Sequence, residues 1–306
     1  LEIIFMETLQ PSQHPIDPQN SVNEPKRLRA SEGVSWFTDS WRIFSKNKFK
    51  WMGAIILISL IPIAVGFLFG LLGLESPPAD FNDFTSPIII RELLFNLFFY
   101  WVGFCFLGGF VLLTAQTAQG KNFNFGSLFA GFSIKKSGAF LILLLLGILV
   151  CLPVVILFSI FATGNFLRAD FMPAFPILFV ILLVFIAIYS MMFWLTPAFI
   201  MLEDMKPVAA IKASFNACRR NIPALLVYGL IWLGIGIAFW FIFMTVMLSV
   251  SATEASMQQA TALSGPFFIL FFIFLVITYL VLYPVAMIGI YTAYRSIFPQ
   301  GRLNKY

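Results

Sequence analysis

Residues 203–221 read EDMKPVAAIKASFNACRRN, and this stretch sits between two long apolar runs, 174–201 and 223–250. Its ends are charged and its middle is amphipathic. A polar-ended helical segment between runs long enough to cross a bilayer reads as a connection at a membrane face. Weaker relatives of it occur twice earlier, SEGVSWFTDSWRIFSKNKFK at 31–50 and NFGSLFAGFSIKKS at 124–137, each ahead of another apolar run.

The composition agrees with a bilayer as solvent. Of the 306 residues 60% are hydrophobic and only 11% charged, well outside the norm for soluble domains. Six apolar runs, placed at Trp51–Leu74, Leu93–Ala118, Ala139–Thr163, Ala174–Met201, Pro223–Val250 and Pro266–Tyr291, carry no charge in their interiors. Each meets the roughly 20 residues that a helix needs to cross the hydrocarbon core, and none alternates as a barrel strand does. The expected fold class is all-α: a polytopic membrane protein with six transmembrane helices and amphipathic interfacial helices, arranged as three parallel hairpin repeats.

Basic residues set the orientation. Apart from Arg91 and Arg168, all 19 Lys and Arg fall before the first span, in the second and fourth connections, or after the last span. The other three connections, Glu75–Glu92, Gly164–Pro173 and Ser251–Gly265, are acidic or nearly neutral. The positive-inside rule then places both termini in the cytoplasm. Residues 1–30, rich in Pro, Gln, Ser and Asn, have the composition of a disordered cytoplasmic tail, and 299–306 form a second tail. The opening LEIIFM is too short and badly flanked for a signal peptide, and Met6 is a candidate start.

The three basic segments align. Ser40-Trp41 closes on Lys46-Asn47, Ser214-Phe215 closes on Arg220-Asn221 at the same spacing, and the middle copy closes on Lys136-Ser137. Pro62, Pro153 and Gly236 then fall midway along the first span of each unit, and Gly108-Gly109, Pro197 or Pro284 fall near the end of the second. Proline removes a helix hydrogen bond and glycine loosens packing, so these are candidate helix breaks. The units run 31–120, 121–205 and 206–298 within a membrane domain of 31–298, all entering from the same side. In the first segment Val34, Phe37, Trp41 and Phe44 share a helical face, which either lies in the headgroup plane or packs on the bundle.

Chemistry-bearing constellations are few. Glu203-Asp204 beside Lys206 is the nearest to an acid pair, but adjacent helical residues point apart. With Pro207 suited to a first turn, the acids read better as a helix start. His14 is the sole histidine, and Cys105, Cys151 and Cys218 form no CxxC, so no catalytic residue, metal or cofactor is assigned. Arg42, Lys46, Lys48, Lys135, Lys136, Lys212, Arg219 and Arg220 are candidate contacts for lipid headgroups, or they only fix topology. Asn96, Gln116, Asn165, Tyr189, Thr196 and Tyr279, near or within spans, suit interhelical hydrogen bonds or the lining of a path. Gly103, Gly108, Gly109, Gly234 and Gly236 suit close helix contact.

Trp36…Trp41-Arg42-Ile43-Phe44, the Phe125–Phe132 loop, Pro197-Ala198 leading to Ala210…Ser214-Phe215…Arg219…Asn221, and Tyr291–Phe298 carry a resemblance. From Ser31 to Phe298 the chain resembles a family of uncharacterised, mostly proteobacterial, six-span inner-membrane proteins. That family is distantly similar to the membrane domain of some glycerophosphodiester phosphodiesterases, whose catalytic residues lie in a separate soluble domain that has no match here. The resemblance implies a bacterial inner-membrane location and no reaction. The expected function is a non-catalytic membrane factor that contacts anionic lipid, a membrane-protein partner or its own copies, and no nucleic acid. The alternative is a passive or lipid-type transporter with a path along the repeat axis near Pro62, Pro153 and Gly236. A membrane enzyme using Glu203 and Asp204 ranks third.

Overall fold

The computed structural model describes residues 24–71, 87–166, 171–254 and 260–299. Residues 1–23, 72–86, 167–170, 255–259 and 300–306 lie outside them, so part of each of the three acidic or nearly neutral connections and most of both tails are not described. Among the described residues the chain is helical and without strands. Helix α1 spans Glu32–Lys46, α2 Lys48–Leu71 and α3 Pro87–Ala118. A 3-10 segment, Phe125–Phe132, follows. Then come α4 Ile134–Phe166, α5 Phe171–Phe193, α6 Thr196–Leu202, α7 Pro207–Arg220, α8 Ile222–Glu254 and α9 Ala260–Ile297.

Six stretches are long and apolar enough to cross a membrane: Lys48–Leu71, Ile90–Ala118, Ile134–Phe161, Pro176–Leu202, Ile222–Thr245 and Phe271–Ile297. At 1.5 Å per residue they measure about 36 to 44 Å, more than the roughly 30 Å hydrocarbon core. The protein is a polytopic α-helical membrane protein. Its core lies at the end of the bundle that carries the basic residues. In α2 the buried residues are Trp51, Ala54 and Ile55, all in the first third, whereas Ile63, Phe67 and Leu71 are exposed. Toward the other end the spans present apolar side chains outward, as a lipid-facing surface requires.

The short elements follow a cyclic order of packing. The 3-10 segment lies on α3, α7 lies on α5 and α6, and α1 lies on α9 and α8. Each therefore covers the second span of the helix pair before it, and α1 covers the last. At the centre α6, whose seven residues are all buried, contacts α3 and α9. There Phe199 sets its ring against Tyr294 and Phe298, with centroids 5.5 and 5.3 Å apart.

Glycine lets these layers meet backbone to backbone. A Cβ on Gly109 of α3 would lie 1.9 Å from the Leu128 carbonyl oxygen, and one on Gly131 would lie 2.0 Å from the Cys105 carbonyl. The 3-10 segment is thus seated on α3 at two points. Gly33 brings α1 onto α8 in the same way, 2.3 Å from the Ala224 carbonyl. By contrast Gly103, Gly234 and Gly236 have nothing within 4 Å of a notional Cβ, so the close contact expected of them is absent within the described chain.

Two further expectations change. The inward face of α1 is Gly33, Trp36, Ser40 and Phe44, while Val34 and Trp41 point outward. The face is chosen by close approach at Gly33 and Ser40 rather than by greatest hydrophobicity. Among the candidate helix breaks only Pro197 lies at an interruption: α5 ends at Phe193 and α6 begins at Thr196. Helix runs on through Pro62, Pro153, Gly236 and Pro284, because one missing N–H leaves the rest of the ladder intact and apolar surroundings keep those bonds.

Candidate functional site at the basic end

The site is built from corners where a short helix turns into a span. At the first, Asn47 separates α1 from α2 with φ −139° and ψ 37°. Its N–H donates to the Phe44 carbonyl (3.1 Å), and its own carbonyl accepts from Trp51 (3.1 Å). At the second, Asn221 separates α7 from α8 with φ −123° and ψ 27°. Its N–H donates to Cys218 (2.9 Å), and its carbonyl accepts from Leu225 (3.0 Å). Each corner follows a basic residue, Lys46 or Arg220. Each has a fully buried serine seven positions earlier, Ser40 or Ser214.

The corners differ in what they hold. Asn221 grips the chain's own N-terminal segment, residues counted by composition in the tail. Its Oδ1 accepts from Leu28 N–H (2.7 Å) and its Nδ2 donates to the Lys26 carbonyl (3.0 Å). Lys26 N–H in turn donates to the Ile297 carbonyl at the end of α9 (3.1 Å), and Arg220 pairs with Glu24 (3.2 Å). An extended strap thus lies between the corner and the end of the second span of that pair.

At Asn47 the corresponding place is a cavity of about 470 Å³. Its walls are Asp39, Arg42, Lys46 and Asn47 from α1 and the corner, Thr117 and Ala118 at the end of α3, and Tyr291, Thr292, Arg295 and Ser296 on α9. Arg42 is paired with Asp39 at 2.8 Å on the exposed side of α1. Lys46 and Arg295 make no ion pair among the described residues. Thr292 donates to the Trp36 carbonyl (3.1 Å) and Ser296 accepts from the Trp36 indole N–H (2.6 Å), so α1 is registered on the wall of the cavity.

The third corner consumes its charges. Asp204 adopts φ +56° between α6 and α7, and Lys136 reaches both its carboxylate and the Ile200 carbonyl. Glu203 accepts the Tyr294 hydroxyl. The two acids therefore do not serve the start of α7, which opens on Lys206 and Pro207. They tie the end of α6 to α4 and α9, because the left-handed turn at Asp204 points them back across the bundle.

Arg42, Lys46, Lys48, Lys135, Lys212, Arg219 and Arg220 are exposed at this end, whereas Lys136 is only 13% exposed and engaged. Sequence reading counted Arg295 only for topology and missed Asn47, Thr117, Tyr291 and Thr292 as cavity walls. The equal spacing of Asn47 and Asn221 was the available signal. Of the polar span residues, Gln116 accepts from Ser127 (2.7 Å), Thr196 donates to the Met192 carbonyl (2.7 Å) across the break between α5 and α6, and Tyr279 meets Ser59 (3.4 Å). Asn96 and Tyr189 line a second cavity of about 470 Å³, mostly apolar, between α3, α4 and α5.

Residues 107–297, more than half of the chain, match the model of a domain of unknown function (DUF7847). The chain belongs to that family. The DUF7847 match runs from the middle of α3 to the end of α9, so it includes the Asn221 corner and the α9 wall of the cavity but not α1 or Asn47. A relative from Burkholderia thailandensis, named "Probable inner membrane protein BTH_II0599", is 27% identical over 241 residues, 69% of this chain and 77% of its own length. No solved structure matches the chain.

Cys218, on the buried face of α7, is not a reactive group. Burial pushes its thiol up to about 12, with a hydrogen bond to Ser214 pulling the other way. A thiol reacts as thiolate, so Cys218 should resist maleimide in the folded protein at pH 7.5 and label only after denaturation. Mass mapping of the labelled residue checks this, and rapid labelling of Cys218 in native protein would contradict it.

Proposed function

We propose that the protein is a non-catalytic factor of the bacterial inner membrane that contacts anionic lipid through its basic, cytoplasmic face. The observation that carries this reading is the cluster of exposed cations, Arg42, Lys46, Lys48, Lys135, Lys212, Arg219 and Arg220, at one end of a six-span bundle. Cations at the end of a span meet the headgroup layer, where each contributes up to about 1 kcal/mol toward anionic lipid. The location follows the name of the Burkholderia relative, and the orientation follows the positive-inside rule. The likeness to the phosphodiesterase membrane domain is taken as a shared scaffold alone. The engagement of Glu203 by Tyr294 and of Asp204 by Lys136 supports a non-catalytic role.

Passage along the bundle axis is disfavoured by its contents. Phe199, Tyr294 and Phe298 pack where α6 meets α9. The apolar cavity is walled by α3, α4 and α5: Cys151, Leu152 and Val155 bring it beside Pro153, but no residue of α2 or α8, which carry Pro62 and Gly236, lines it. Native mass spectrometry of protein extracted in its own lipids tests the lipid reading and reports any oligomer. With Arg219→Gln and Arg220→Gln together, retained anionic lipid should fall by up to roughly thirty-fold at low salt, given up to about 1 kcal/mol per charge, while the protein stays folded. Unchanged retention would argue against headgroup contact.

A further inference from the structure

The cavity at Asn47 is the counterpart of the place at Asn221 that the strap Glu24–Arg29 fills. Both lie between an asparagine corner and the end of the second span of the same pair: α9 at Ile297 in one case, α3 at Thr117 and Ala118 in the other. At Asn221 the amide reads an extended backbone with one donor and one acceptor, and the neighbouring Arg220 takes a carboxylate. Asn47 has the same backbone conformation and a cation, Lys46, in the same relative position. Its side-chain amide has no partner among the described residues.

We infer that the Asn47 cavity is a docking site for an extended acidic peptide segment of a partner protein. Asn47 would accept a backbone N–H and donate to a backbone carbonyl, as Asn221 does to Leu28 and Lys26. Lys46 and Arg295 would take carboxylates, as Arg220 takes Glu24. The cavity is more cationic than the strap site: Arg42, Lys46 and Arg295 face it against a single acid, Asp39. Its occupant is therefore more acidic than the strap, whose Glu24 is outnumbered by Lys26, Arg27 and Arg29. Thr117 on α3 and Tyr291 on α9 also line it. The amide pair is what separates this site from a lipid-phosphate pocket, because a phosphodiester group offers acceptors only and leaves the Asn47 carbonyl oxygen without a donor. Lipid contact through the cations outside the cavity, Lys48, Lys135, Lys212, Arg219 and Arg220, is independent of it.

The probe is a fluorescent, acetylated peptide of three Ala-Glu pairs, titrated against the full chain in neutral detergent and followed by anisotropy. Saturable binding is expected, weakened roughly ten-fold by Asn47→Ala, the loss of two hydrogen bonds, and by a similar factor in Arg295→Gln. Asn47→Ser keeps a residue suited to the corner but is too short to present both amide groups. It serves where Asn47→Ala does not fold, and it should weaken binding as well. No binding would overturn the proposal. So would binding that falls in Arg295→Gln yet is untouched in both Asn47 variants and displaced by inorganic phosphate or phosphatidylglycerol nanodiscs, which would mark an anion or headgroup pocket. Binding seen only after residues 1–23 are removed would also overturn it, naming this chain's own acidic stretch (Glu2, Glu7 and Asp17, with no Lys or Arg) as the occupant.

Discussion

Gly109→Ala is expected to destabilise the folded protein by about 3 kcal/mol, whereas Gly103→Ala in the same helix should be neutral or stabilising by up to about 1 kcal/mol. Both changes add one methyl to α3 and both improve helix propensity. Only Gly109 faces another backbone, the Leu128 carbonyl oxygen at 1.9 Å from the added Cβ. Relieving that contact requires the 3-10 segment to shift by more than an ångström. The segment cannot pivot away, because Gly131 seats it a second time against the Cys105 carbonyl. Lifting it would also open the contacts of Phe106 with Phe129 and Phe132, at 5.5 and 4.8 Å. Thermal unfolding of the two variants beside wild type in one detergent gives the comparison. Equal melting of Gly109→Ala and wild type would falsify the close-seating account.

The contrast between these glycines also shows what the sequence could and could not convey. Spans were legible because a bilayer imposes length and hydrophobicity on each segment locally. The run placed at Leu93–Ala118 is the span Ile90–Ala118, and that placed at Pro223–Val250 is Ile222–Thr245. Which glycine is buried, and which face of α1 turns inward, depends on a surface supplied by another element. Val34 and Trp41 are as apolar as an inward face could ask, yet α1 docks through Gly33 and Ser40 because a close backbone approach gains more contacts than two bulky side chains held at a distance. The same holds for the basic end. Lys136 and Lys135 are neighbours of one type in the sequence. Only the left-handed turn at Asp204, just past the end of α6, gives one of them a partner within the protein. The Asn47 and Asn221 corners were visible as matched spacings, whereas the strap that fills one of them is a tail by composition alone.

Lys136→Met should cost about 2–3 kcal/mol of stability and Lys135→Met less than about 0.5 kcal/mol. Lys135 is 79% exposed and lies 3.9 Å from Asp204, an ion pair in water that solvent and salt screen. Lys136 lies mostly within the protein and binds two acceptors at once. One is the Asp204 carboxylate. The other is the Ile200 carbonyl, one of those left over at the end of a helix of seven residues. Methionine preserves the bulk and removes both bonds, so the carbonyl is left without its cation and Asp204 holds φ +56° without its strongest partner. That conformation is tolerated by an Asp but not favoured, and the corner between α6 and α7 then loosens where Phe199 and Tyr294 meet. A double-mutant cycle with Asp204→Asn separates the two bonds: the coupling between the variants measures the ion pair, and the residual cost of Lys136→Met in the Asp204→Asn background measures the carbonyl bond. A residual near zero would mean that Lys136 acts on Asp204 alone. A coupling near zero, with Lys136→Met as mild as Lys135→Met, would return Lys136 to the set of lipid-facing cations.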